Sequence, residues 1–271
     1  MRRSHWLVAA TGAALLILHM VLLASAIPVV RHLTLHVRDW PAGAPPLKLA
    51  LLSDLHVATP GDSVAHLSRV VAQVNALHPD LVLIAGDFLS NDAILMAPAS
   101  TADAIAPLGR LHAPLGTIAV YGNHDYVDRA NVAAALAHAR VTLLDNAATR
   151  RGPLAILGIS DAATGHDRNP AVLDQWAAIG GVAVAVTHSP DAFHYLPLDI
   201  DLALAGHTHC GQVALPGHGP LMLNLRWGSR YGCGVVRDGP RTAVITAGLG
   251  TSNLPIRLGV PPDMWVIDIG G

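Results

Sequence analysis

The chain has 271 residues, which suits one catalytic domain of about 220 residues and an appendage. Hydrophobic residues make up 52% and charged residues 13%, and a net charge of -2 offers no basic field that would make nucleic acid a main partner. Glu is absent and Lys48 is the only lysine, so a Glu base and a Lys Schiff base are excluded and chemistry falls to Asp, His, Asn, Arg or metal.

The first element is apolar. Met-Arg-Arg-Ser-His precedes a stretch from Trp6 to Val30 without Asp, Glu, Lys or Arg. A helix of about 20 residues spans a hydrocarbon core, so residues 1–30 are read as a retained membrane anchor, with His19 a tolerated polar residue. Arg2 and Arg3 belong on the cytoplasmic side, which puts the rest of the chain outside. A cleaved signal segment is the competing reading, since Ala24-Ser25-Ala26 resembles a processing site, but the apolar stretch exceeds the usual signal core. Residues 31–46, with Pro41, Pro45 and Pro46, are read as a linker, and residues 47–271 as the catalytic domain.

Strands and helices then alternate. Leu47–Leu52 is a strand, and Val64, Leu67, Val70, Val71, Val74 and Leu77 fall at helical spacing up to Pro79. Leu81–Ala85 is a strand, followed by a helix near Ala99–Leu108, a strand over Thr117–Val120 and an alanine-rich helix over Arg129–Ala139. Leu154–Ile159 and Val182–Thr187 are strands around a helix containing Trp176. Leu202–Ala205, Ala243–Thr246 and Met264–Ile269 complete a strand-rich end. The pattern predicts an α/β domain with two packed sheets flanked by helices.

Ligand-type residues stand where the strands end. The fragments are Asp54-Leu55-His56, Gly86-Asp87, Gly122-Asn123-His124-Asp125, Thr187-His188 and Gly206-His207-Thr208-His209. Asp and neutral His suit first-row divalent metals. Asp-x-His places two side chains on one side of an extended chain, and Gly86 lets the backbone turn sharply before Asp87. The Asp87 carboxylate has two oxygens and can bridge two ions, and Asn123 offers a neutral oxygen. Paired cations are the usual clamp for displacement at phosphorus, and a histidine such as His124 can protonate a leaving alkoxide. Asp54 and Asp125 are both candidates to orient it. Taken singly, Asp-x-His is more often structural and Gly-Asp is a common turn. The order of all five, each at a strand end, carries the reading.

That order resembles the calcineurin-like metallophosphoesterase superfamily over residues 48 to 271. GHTHCGQ and the ending GLGTSNLPIRLGVPPDMWVIDI resemble its bacterial membrane-associated YkuE/YaeI-like phosphodiesterases. The resemblance implies a four-layer αββα sandwich after one transmembrane helix. It implies two divalent ions (Mn, Fe, Zn or Ni), one held by Asp54, His56, Asp87 and His209 and the other by Asp87, Asn123, His188 and His207, with His124 as the catalytic acid. Cys210, where Gly often stands, and Asp263 in PPD, where PPE is usual, depart from the pattern without touching a ligand. The expected activity is phosphodiester or pyrophosphate hydrolysis by metal-bridged hydroxide, on substrates that extend to lipid-linked ones of the UDP-2,3-diacylglucosamine type. Phosphomonoesterase or nuclease activity on the same site is the alternative, and a non-enzymatic scaffold the rival outside enzymes. The expected location is the bacterial inner membrane, single-pass, with the domain periplasmic or otherwise extracytoplasmic.

Several residues stay outside this set. His166, Asp167 and Arg168 read as a solvated loop that could reach substrate. Arg226, Trp227, Arg230 and Tyr231 read as a surface loop, with a lid or membrane-facing role as the functional alternative. Arg257 reads as packing for the C-terminal segment. Cys210 and Cys233 either pair or remain two loop thiols.

Overall fold

The computed structural model describes residues 2–59, 63–91 and 94–271. The side chains of Arg2 and Arg3, on which the orientation reading rests, lie outside that description. The chain runs α1 (Arg2–Ala24), β1 (Val29–His36), β2 (Leu47–Leu52), β3 (Ala58–Thr59), α2 (Val64–Ala76), β4 (Leu81–Ile84), β5 (Ala97–Pro98), α3 (Thr101–Ile105), β6 (Thr117–Ala119), α4 (Arg129–His138), β7 (Thr142–Leu143) and β8 (Ala147–Arg151). It continues through β9 (Leu154–Ile159), α5 (Asn169–Ile179), β10 (Val182–Thr187), β11 (Leu202–Ala205), β12 (Ala214–Leu215), β13 (Gly219–Pro220), β14 (Gly234–Asp238), β15 (Arg241–Ile245) and β16 (Asp263–Gly270).

Twelve of these strands form two six-stranded sheets, ordered β1-β16-β2-β4-β6-β7 and β14-β15-β11-β10-β9-β8. In the first, β2, β4, β6 and β7 are parallel and β16 runs against β2. In the second, β9, β10, β11 and β15 are parallel, with antiparallel β8 and β14 at the edges.

Alternation along each strand sorts the core. Leu49 and Leu51 of β2 enter the layer between the sheets, where they meet Leu83, Ile118, Ile156, Val184 and Leu204. Ala50 and Leu52 face the other way, onto Val70, Val71 and Val74 of α2, Ile105 of α3 and Leu136 of α4. On the outer face of the second sheet, Ala183, Ala185, Ala203 and Ala205 are small enough for Val172 of α5 and Phe193 to close over them. The layers are therefore helix, sheet, sheet, helix. Both faces of each sheet are covered, which is why the parallel strands read as unbroken apolar runs.

α2 begins where Ser63 caps it, the side chain accepting the His66 N–H at 3.2 Å. Such a cap contributes about 1 kcal/mol. α1 contains a 20-residue apolar stretch, His5–Ala24, long enough to cross a bilayer and almost wholly unpacked.

One boundary needs correcting. Residues 31–46 do not act as a linker throughout, because β1 pairs in parallel with β16 along all eight of its residues, from Val29 opposite Asp263 to His36 opposite Gly270. Five of its eight residues are exposed, as suits an edge strand, and it lacks the long apolar run that marks the central strands.

Candidate metal centre

All the ligand-type fragments emerge at one edge of the sandwich. Asp54 and His56 follow β2, Asp87 follows β4, and Asn123 and His124 follow β6. From the second sheet, His188 follows β10, and His207 and His209 follow β11. The two sheets thus bring residues up to 155 positions apart to one cleft, and every predicted site residue lies in it.

Strand alternation does not aim these side chains. Asp54 (φ 53°), His56 (40°), Asp87 (57°), His207 (69°) and His209 (49°) all have left-handed backbone. This is uncommon for residues other than glycine and costs roughly 1–3 kcal/mol each, so the expected extended Asp-x-His geometry is replaced by a tight loop. Neighbouring loops hold it there. Asp54 N donates to Gly86 O at 3.0 Å, and Leu55 N and His56 N donate to Asp87 O at 2.7 and 3.2 Å. Glycines supply the clearance: a Cβ on Gly122 would stand 2.1 Å from Asp87 Oδ1, and one on Gly206 would stand 2.3 Å from Asp54 Oδ2.

The donor atoms form two overlapping groups. His209 Nε2 is 3.4 Å and His56 Nε2 3.9 Å from Asp54 Oδ1, and His56 Nε2 is 3.5 Å from Asp87 Oδ2. On the other side of Asp87, His188 Nε2 is 3.1 Å from the same Oδ2. His188 Nε2 and His207 Nδ1 each lie 3.0 Å from Asn123 Oδ1 and 3.2 Å from each other. Ligand atoms bound about 2.1 Å from one ion at tetrahedral or octahedral angles stand about 3.0–3.4 Å apart. Asp87 belongs to both groups. His124 Nε2 lies farther out, 3.9 Å from Asp87 Oδ2, and its ring is more exposed than the Asp87 carboxylate.

The donors also fit chemically. His56 Nδ1 faces Leu89 O at 2.9 Å and His188 Nδ1 faces Ala85 O at 2.7 Å. A carbonyl only accepts, so Nδ1–H donates in each case, and in the neutral ring the Nε2 lone pair points into the cleft. Burial lowers His209 to about 3 and lowers His207 as well, helped there by His188, so both rings are neutral donors at physiological pH. Burial opposes charge on Asp54 and Asp87, yet the facing histidines hold both carboxyls below the usual range, His209 foremost for Asp54 and His188 for Asp87. Burial opposes charge on His188, yet the charge and hydrogen bond of Asp87, joined by Asp54 and Asp161, raise it well above the ordinary imidazole range. A proton on His188 and a cation in the cleft answer the same demand for positive charge beside Asp87. Among the described residues, no Arg or Lys pairs with Asp54 or Asp87. Buried carboxylates facing neutral nitrogen donors are what divalent metal ions satisfy.

Further residues support the centre, and of these Asn91 and Asn224 were not singled out from the sequence. Asp125 braces the turn: its carboxylate accepts the N–H groups of Gly122, Asp87 and Phe88 at 2.8–2.9 Å. Its burial and then the Asp87 charge push it up to about 7. Asp125 is thereby engaged away from His124, whose Nδ1 meets Asn91 Oδ1. Asn224 O sits 3.2 Å from His207 Nε2. Arg257, fully buried, donates to the carbonyls of Ala247, Gly248 and Gly250, the loop packed against Asp54 and His56. Cys210 and Cys233 form a disulfide that begins one residue after His209.

The flanking loops border the cleft. His166 stacks on Tyr126, 3.7 Å between ring centroids, two residues past His124. Asp167, Arg168, Tyr195, Arg226 and Trp227 line a ≈ 540 Å³ cavity beside the β10 end. A larger cavity, ≈ 650 Å³, opens at the opposite edge around Trp40 and Lys48; among the described residues its His36, His78, Asp80 and Asp268 form no close ligand group.

Residues 47–211 match the calcineurin-like phosphoesterase family, more than half of the chain. The chain belongs to that family. As a calcineurin-like metallophosphoesterase it is a metal-dependent phosphoester hydrolase that uses divalent ions. Metallophosphoesterase YkuE of Bacillus subtilis is 27% identical over 84% of this chain and 81% of its own length. Phosphodiesterase YaeI of Escherichia coli K12 is 29% identical over 89% of this chain and 87% of its own. A Danio rerio transmembrane protein with a metallophosphoesterase domain is 29% identical over 85% of this chain, which spans 55% of that relative's length.

Proposed function

We propose that this metallophosphoesterase is a membrane-anchored phosphodiesterase or pyrophosphatase with a two-ion centre and an extracytoplasmic catalytic domain. One observation carries the reading: Asp87 Oδ2 stands between His56 Nε2 and His188 Nε2, so one carboxylate serves both donor groups. We assign Asp54, His56, Asp87 and His209 to one ion, and Asp87, Asn123, His188 and His207 to the other. When bound, the ions supply Lewis acidity at phosphorus and an acidified water for in-line displacement.

The chain's own residues do the rest. Left-handed backbone at Asp54, His56, Asp87, His207 and His209 aims five of the seven assigned ligand side chains into the cleft. His124 stands at the mouth, and its Nε2 carries the proton for the departing oxygen. Asn91 fixes the ring through Nδ1, and Asp125 fixes the backbone turn that presents it.

A diester or pyrophosphate is favoured over a monoester by the relation to a named phosphodiesterase. α1 as an anchor favours substrates carried by lipid, and the named transmembrane relative supports the anchor. The Cys210–Cys233 disulfide favours an oxidising compartment, the periplasm in a cell with two membranes. That placement sits uneasily with nucleotide-activated lipid precursors, which belong to the cytoplasmic side, and favours other lipid-borne phosphodiesters. Turnover of bis-p-nitrophenyl phosphate against p-nitrophenyl phosphate tests the choice, and faster monoester hydrolysis would reverse it. An alkaline phosphatase fusion at the C-terminus tests the orientation, and an inactive fusion would place the domain inside.

A further inference from the structure

The anchor and the ligands leave the domain by the same edge. β16 runs against β2, so it begins where β2 ends, beside Asp54. β1 lies parallel to β16 with Val29 opposite Asp263, so β1 also enters at that edge. Only residues 25–28 join α1 to β1, and four residues reach at most about 14 Å. The actual contact is closer: Arg257 N donates to Met20 O at 3.0 Å, and Ala24 is buried.

Helix length then sets the height of this edge. Twenty residues from His5 to Ala24 span about 30 Å, the thickness of the hydrocarbon core. No spare turn remains to lift the domain away. Met20 lies four residues before the helix end, about 6 Å along its axis, so the segment bonded to it stands at interfacial depth.

The rim at that depth is apolar. His209 opens into a ≈ 220 Å³ hollow lined by Leu221, Met222 and Leu254. Leu221 is 55% exposed, Met222 67% and Leu254 37%. Ile94 and Leu95, 53% and 80% exposed, join the rim where Ile94 N donates to Asn253 O. Residues 211–225 contain no Asp, Glu, Lys or Arg, and residues 248–262 contain only Arg257, which is buried. Contiguous exposed apolar side chains around a cleft mark an interaction surface, and the tether decides what this one meets.

We propose that the edge bearing the metal ligands rests on the bilayer crossed by α1, with Ile94, Leu95, Leu221, Met222 and Leu254 in its interfacial layer. The inference rests on the anchor reading of α1 and not on the choice among phosphoesters. A phosphoester in a lipid headgroup then reaches the cleft without leaving the membrane. Because the rim segments 211–225 and 248–262 carry no exposed charge, their insertion is apolar and little affected by salt.

The test is depth measurement on the full-length protein in phosphatidylcholine nanodiscs. Leu95→Cys and Met222→Cys, each carrying a nitroxide under non-reducing conditions, are compared with Leu22→Cys in α1 and Ala76→Cys at the far end of α2. The expected result is that labels at 95 and 222 relax with oxygen and are shielded from a water-soluble nickel chelate, as at 22, in low and high salt. Nickel access at 95 and 222 equal to that at 76 would overturn the proposal. Spin–spin broadening at 222 would also overturn it, because a second copy would then cover the rim. Bis-p-nitrophenyl phosphate turnover by the same samples separates the two readings: a wet rim on an active enzyme defeats only the docking, and a dry rim on an inactive one defeats only the phosphodiesterase assignment.

Discussion

Gly206 approaches Asp54 so closely that a Cβ on the glycine would stand 2.3 Å from Asp54 Oδ2. The two residues come from different sheets, and this approach lets His207 N donate to both Asp54 oxygens, at 3.2 and 3.1 Å. Gly206→Ala, whose Cβ would also collide with the Ser53 side chain, should therefore push the Asp54 carboxylate out of place. Disturbing such a support typically costs 10–100-fold in metal affinity. Titration of chelator-stripped protein with Mn, read alongside circular dichroism, checks this. Unchanged affinity would show that the close approach is incidental.

His124 borders the His56–Asp87 group but is more exposed than either, and it is not among the seven assigned ligands, so its removal should spare most metal binding. His124→Ala is expected to lower kcat by about 10²–10⁴ with most of the metal retained. The loss should shrink for p-nitrophenolate, which leaves without a proton, and grow for alkyl leaving groups. A series of diesters graded by leaving-group acidity measures it. A loss independent of the leaving group would remove His124 as the acid.

Asp125 makes a pH prediction for the metal-free protein. Its carboxyl lies near 7 in the fold and 3.8 is its ordinary value. Between these values the folded state binds more protons than the unfolded one, so this group's stabilisation is complete below about 4 and declines as pH rises through about 7. The slope is at most about 1.4 kcal/mol per pH unit. His209 contributes in the opposite sense, since its lowered value costs stability as pH falls below 6.5. The informative quantity is thus the difference between wild type and Asp125→Asn in urea unfolding. Wild type should lose its advantage as pH rises from 4 to 7, and a difference independent of pH would contradict the assignment.

The disulfide closes a segment of 23 residues' separation directly after His209. Chain-entropy arguments put its contribution at about 3 kcal/mol. Reduction, or Cys233→Ser, should lower Tm and weaken metal binding together, because Cys210 anchors the His209 loop. Equal Tm for oxidised and reduced protein would show that the loop is held by other contacts.

Much of this architecture was legible because the strands are buried on both faces. Continuous runs such as LALL and LVLI, ended by Asp or His, show where a sheet edge collects ligand-type residues. The aiming of those residues was not legible. Alternation suggested one shared face for Asp54 and His56, and the structure instead uses left-handed backbone, which follows from contacts with Gly86, Asp87 and Gly206 far away in sequence. Supports escaped for the same reason. Asn91 carries no local signal, Asn224 contributes only a backbone carbonyl, and the packing role read for Arg257 did not show that it holds the loop beside Asp54 and His56. β1 was missed because an exposed edge strand lacks the apolar run that marks central ones.

The most direct test is metal analysis joined to activity on one sample. Full-length wild-type protein and Asp87→Asn are purified, analysed for bound divalent metals, stripped with chelator and reloaded with Mn, Fe, Zn or Ni. Wild type should carry two ions per chain, lose bis-p-nitrophenyl phosphate turnover with them and recover it on reloading, and Asp87→Asn should fail to retain the pair. Turnover that survives complete metal removal, or an Asp87→Asn protein that holds two ions as tightly as wild type, would contradict the shared-carboxylate centre.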